Sequence, residues 1–192
     1  MATQLPGGRP TAQGTQLFLE QSFDQLPPRT KRWLGLFKID LAPDHAQPSP
    51  ARWLAALVVA NASSLISDAI LVAIGTTIFP STRDFPHFQL SDYGKLTLIG
   101  VSIACLAWPF VTRISSRPRW LFIRAAVLVT LLLWLPDLWI LVHGEPIRGV
   151  AVLMLMHLSI AFITYNTLVR VAPVGPSIGS PGQRVRSQPQ PP

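Results

Sequence analysis

Two carboxylates and one imidazole, Asp68, Asp137 and His157, sit inside long apolar stretches where ionisable side chains are rare. A charge at the centre of a bilayer costs about 2.5–3.5 kcal/mol on insertion scales. Each group is therefore expected to face neighbouring helices and to find a partner there. Histidine suits either aspartate, because imidazole bonds a carboxylate and titrates near neutral pH. Asn61 and Ser64 join Asp68 on one helical face by i, i+3, i+7 spacing. Three chemistries compete for this set: a structural polar knot that fixes helix packing, a proton or cation site of a small transporter or sensor, and a divalent-metal site. Two aspartates and one histidine suit a divalent ion, but without a second histidine or a thiolate the metal reading is the weakest. No metal and no cofactor is expected.

The elements that must position these residues are four apolar runs, 53–79, 96–114, 120–142 and 150–171. Each meets the need for about 20 helical residues to cross a hydrocarbon core of about 30 Å. The sequence thus predicts an all-α membrane protein, a four-helix transmembrane bundle running up-down-up-down. At ~1.5 Å per residue, His157 lies roughly 10 Å, Asp137 roughly 8 Å and Asp68 roughly 16 Å from the outer ends of their runs. All three fall in the outer half of the bilayer. Pro136 frees a carbonyl in the turn before Asp137. Gly100 and Ala104, four apart, predict a close helix approach, and Pro109 is expected to bend or end the second span. Arg124 is placed to snorkel to the headgroups, and Trp53 to anchor the first span at the interface. The loop 80–95, with Phe85, Phe88 and Tyr93, is expected to fold against the headgroups.

The net charge of +7 reads as topology rather than as a nucleic-acid footprint. With the amino terminus inside, only Arg83, Lys95 and Arg148 among the sixteen basic residues fall outside. The short loop 113–119 carries Arg113, Arg117 and Arg119, and short loops are where the positive-inside rule has force. Both termini are thus expected in the cytoplasm, in a multi-pass protein of a bacterial plasma membrane. Cys105 is the single cysteine, which excludes an intramolecular disulfide. The first fifty residues lack an apolar signal core, so the first span would act as its own insertion signal.

Residues 1–52 read as a cytoplasmic tail and 173–192 as a second, Pro/Gly/Ser/Gln-rich one, both disordered by composition. Within the first, 31–41 predicts a short helix. Lys31, Arg32, Trp33, Phe37 and Lys38 are its candidate inner-leaflet contacts; a loop packed under the bundle is the equal alternative. The chain carries no Gly-rich phosphate loop, HExxH, Gly-x-Ser-x-Gly or CxxC, which favours a non-enzymatic role.

Arg117-Pro-Arg-Trp-Leu-Phe-Ile-Arg124, Leu135-Pro-Asp137 and Met156-His157, with Asn61 in the first span, resemble a family of small actinobacterial four-helix integral membrane proteins without an assigned function. The resemblance covers roughly 51–173. It implies a compact four-helix domain in a bacterial plasma membrane and supplies no activity. The expected partners are the lipid bilayer and a second membrane protein or copy of the chain, not nucleic acid. The expected role is accessory or scaffold-like, with the Asp/Asp/His transporter or sensor as the alternative.

Overall fold

The computed structural model describes residues 27–36, 39 and 45–175. Four helices cross-pack into a bundle: Pro50–Ile78, Leu90–Ile114, Pro118–Val142 and Ile147–Val171. All four are long and apolar enough to span a bilayer, so the chain is a multi-pass membrane protein. Three of them begin two to six residues earlier than their apolar runs, and the fourth begins at Ile147 instead of Val150. Hydropathy sees only the lipid-facing core of a helix. The extra turns are set by Pro50 and Pro118 in their first turns, where a missing N–H costs nothing. Asp92 and Tyr93, expected in a loop, lie in the first turn of the second span.

A stripe of small side chains organises the packing. Ala56, Ala60, Ser64 and Asp68 recur at every fourth residue of the first span, and none has any exposed surface. Small residues let backbones approach closely, which is the main route to helix association in lipid. Gly75 continues this close approach further along, where an added Cβ would come within 2.9 Å of the Val152 side chain. The first and fourth spans form the most extensive pairing in the bundle, and the third reaches the others chiefly through the fourth. Gly100 is not part of this device: it is exposed, and an added Cβ would meet nothing within 4 Å. Ala104 does pack against the core.

Each end of the bundle has its own apolar cluster. At one end Trp108, fully buried, meets Phe122 edge-on at 5.2 Å, and Phe122 stacks on Tyr165 at 6.2 Å. This column ties the second, third and fourth spans. At the other end the loop folds into two short 3-10 turns, Pro80–Thr82 and Pro86–Phe88. Its aromatic side chains turn inward: Phe85 and Phe88 are buried in the bundle with Tyr93, Val150, Val152 and Met156. Gly149 provides the landing place, since a Cβ there would stand 3.1 Å from the Phe85 ring.

Pro109 does not end the second span, which continues to Ile114. A proline removes the N–H that would bond the carbonyl four residues earlier, here Cys105. The Trp53 indole N–H donates to that carbonyl at 2.8 Å. Trp53 is thus a half-buried donor to a backbone gap. The end of the same helix leaves further carbonyls without intrahelical donors. The Thr112 carbonyl accepts from His45 Nε2 at 2.9 Å and from Gln47 Nε2 at 3.0 Å. Trp108 Nε1 likewise donates to the Ala172 carbonyl just past the fourth span, at 2.9 Å.

The amino-terminal helix is Pro28–Leu36, beginning three residues before the expected 31–41. Ile39 then forms an antiparallel bridge with Ser115, so this segment's end docks on the loop between the second and third spans. Residues 1–26 and 176–192, expected as disordered tails, lie outside the described residues.

Trp53→Phe should cost about 0.5–1.5 kcal/mol of stability by stranding the Cys105 carbonyl. In a Pro109→Ala background, where residue 109 regains its N–H, the same change should cost less. Equilibrium unfolding of the four variants in mixed micelles measures the coupling; equal costs in both backgrounds would refute the compensation.

Candidate intramembrane polar site

The polar residues of the spans pair two by two across helices. His157 on the fourth span and Asp137 on the third share a hydrogen bond of 2.9 Å between Nδ1 and Oδ2. The Asp137 side chain is 8% exposed and that of His157 24%, so the aspartate is the enclosed partner. Asp68 is not part of that bond. Its Oδ2 accepts from Thr97 Oγ1 of the second span at 2.6 Å. Asp68 has no exposed surface and Thr97 only 5%. The depth argument thus brings Asp137 and His157 together, while Asp68 finds a hydroxyl that the sequence reading did not single out. Among the described residues no three His, Cys, Asp or Glu side chains gather closely enough to hold a metal ion.

Further bonds repeat the pattern. Ser67 and Ser159 share a hydrogen bond of 2.6 Å between the first and fourth spans. Asn61 Nδ2 donates to its own helix at the Leu57 carbonyl, 2.9 Å away, and reaches Ser102 Oγ of the second span at 3.5 Å. Trp134 Nε1 donates to the Met154 carbonyl at 3.3 Å, a second tie between the third and fourth spans. Interhelical bonds of this kind average about 0.6 kcal/mol in a bilayer, with a maximum near 1.7. Several together matter, because apolar contact alone gives helices little reason to prefer one another over lipid.

Among the described residues, four buried polar atoms have no hydrogen-bond partner: Asn61 Oδ1, Ser64 Oγ, Asp68 Oδ1 and Thr164 Oγ1. The first three are the residues whose i, i+3, i+7 spacing set them on one face of the first span. An unsatisfied buried donor or acceptor costs about 1–3 kcal/mol. That cost is concentrated on the helix face with the tightest packing.

The candidate inner-leaflet contacts fall elsewhere. Lys31, Arg32 and Trp33 lie on the helix Pro28–Leu36, where Arg32 is exposed, and Phe37 and Lys38 lie outside the described residues. The nearest described anchor of that segment is Ile39, half-buried against the bundle.

No protein-family model, no curated protein and no solved structure matches this chain.

Thr97→Val keeps the side-chain volume and leaves Asp68 with neither oxygen bonded, so it should destabilise by about 1–3 kcal/mol. Combining it with Asp68→Leu should recover most of that loss, because the stranded carboxyl is gone. Unfolding curves in graded sodium dodecyl sulfate report both. A double variant as unstable as Thr97→Val would mean that the bond carries no weight.

Proposed function

We propose that this is a non-catalytic accessory protein of the membrane, whose intramembrane polar residues serve packing and whose exposed helix faces serve a membrane partner. The observation that carries this reading is the pairing itself. Asp68, Asp137, His157, Ser67 and Ser159 each spend a hydrogen bond on a neighbouring span, as scaffolding polar groups should. The third span fits a docking role, since only 11% of its most apolar stretch is buried, against 33% for the second.

The same reading includes a bacterial plasma membrane, as in the actinobacterial four-span family that the sequence resembles, with both termini in the cytoplasm. Charge placement supports the orientation. Arg52, Arg113, Arg117, Arg119, Arg124 and Arg170 gather at one end of the bundle, while at the other Arg83, Lys95 and Arg148 are balanced by Asp84, Asp92 and Glu145. Cytoplasmic loops carry the excess of Lys and Arg. Reporter fusions after Gln89 and Gly144 should read outside, and a fusion after Ser116 inside; the reverse pattern would overturn the orientation.

A second reading rests on one specific feature, the three unpartnered oxygens of Asn61, Ser64 and Asp68 on a single face. A proton- or cation-coupled site would need such oxygens. Thermal melts of the purified protein from about pH 5 to 8, the interval in which histidine ordinarily titrates, separate the two when run with and without added cations. The accessory reading expects Asp68→Asn, Asp137→Asn and His157→Ala to lower stability with no cation response in any of them. It also expects a cysteine at Ser64 or Ser67 to resist small polar thiol reagents. A cation-dependent shift in wild type that the variants lose, with labelling at Ser64, would favour the coupled site instead.

A further inference from the structure

The third and fourth spans do not close fully against each other. Between them lies an open groove of about 370 Å³, floored by Ala126, Thr130 and Ala161 and walled by Leu158 and Tyr165. Its lining is almost wholly apolar, and its one hydroxyl from a threonine is already spent, Thr130 Oγ1 donating to the Ala126 carbonyl at 2.9 Å. Trp134 stands at the far end, with its indole N–H fixed on the Met154 carbonyl at 3.3 Å. On the third span the groove runs from Ile123 to Trp134, a rise of roughly 16 Å along the helix. That is close to half of a hydrocarbon core of about 30 Å. The groove thus has the length of one leaflet.

A basic residue flanks the groove. A second hollow shares Ile123, Val127 and Leu131 with the groove and adds Arg124. The Arg124 guanidinium is turned back along the helix and lies 3.7 Å from the centre of the Trp120 ring. Among the described residues no carboxylate pairs with it. Arg124 is therefore an oriented cation near the Pro118 end of the third span, with its counter-charge still to be supplied. Trp120 fixes its position, and Arg117 and Arg119 stand exposed at the same helix end.

We propose that this groove binds one anionic phospholipid, with its phosphate on Arg124 and one acyl chain lying between the third and fourth spans as far as Trp134. Charge complementarity beside the groove and matched apolar length along it both fit such a lipid. The inference is independent of the accessory reading and requires only that the four helices span a bilayer.

The test uses the full chain in detergent, titrated with phosphatidylglycerol or phosphatidylcholine, with retained lipid counted by native mass spectrometry. Wild type should retain phosphatidylglycerol about fivefold better than phosphatidylcholine, the factor expected for one basic residue near an anionic surface. Arg124→Gln should erase that preference without lowering the melting temperature in detergent alone. Ala161→Phe, which fills the groove, should reduce retention of both lipids. Ala126→Leu serves the same end if the larger change prevents folding. Glycerol phosphate alone should not bind; binding equal to that of the whole lipid would overturn the acyl-chain part. Equal retention of the two lipids by wild type would overturn the proposal, as would a preference that survives Arg124→Gln. A second copy in the groove would also overturn it, and would appear as rapid disulfide dimers of Val127→Cys in a Cys105→Ala background.

Discussion

Hydrocarbon tails are as apolar as leucine, so helices already in a bilayer gain nothing by hiding leucines from them. What remains to hold spans together is close packing and hydrogen bonding. In this chain both come from one helix face. Ala56, Ala60, Ser64 and Asp68 bring the first span against its neighbours with no exposed surface at any of the four. The second and fourth spans are then near enough for Thr97 to reach Asp68 and for Ser159 to reach Ser67. Larger side chains on this stripe would push those donors beyond bonding range. The close approach is therefore the condition for the polar bonds, and the bonds in turn select one rotation of each helix.

The same logic governs the backbone. A membrane helix satisfies its own amides except at prolines and ends, where outside donors must be found. Trp53 answers the gap left by Pro109, Trp108 reaches past the fourth span to Ala172, and His45 with Gln47 covers Thr112. All of these donors act at the arginine-rich end. They draw residues 45–49 and 172–175 onto the bundle, where Gly175 N also donates to the Ala46 carbonyl at 2.8 Å. Residues 45–47 and 172–175 are thereby fixed in place by backbone needs of the second and fourth helices.

Hydropathy made the four spans legible because the lipid-facing majority of each helix is apolar. It concealed the packing face for the same reason: alanine counts as apolar whether it meets lipid or another helix, so the Ala56–Ala60–Ser64 stripe did not stand out. Gly100 stood out by residue type and faces away from the bundle. Depth along a helix can be counted from sequence, and it brought Asp137 level with His157. Rotation about the helix axis and the order of helices around the bundle cannot be counted that way, and these gave Asp68 to Thr97. The aromatic loop illustrates the same limit, since only the bare backbone of Gly149 reveals that Phe85 turns inward.

The third span follows different rules from the first. It has no small-residue stripe, and its buried positions are few: Pro118, Phe122, Thr130 and Asp137. Phe122 holds it to the aromatic column at one end, and Asp137 and Trp134 hold it to the fourth span further along. Between those ties the two helices stand apart, and Ala126 and Ala161 are too small to fill the gap. A helix fixed at separated points and open between them leaves a slot of defined width. Arg124 stands beside that slot, and because helical side chains point back toward the amino terminus, its guanidinium is carried onto Trp120. The spacing of three anchors along one helix thus determines the opening.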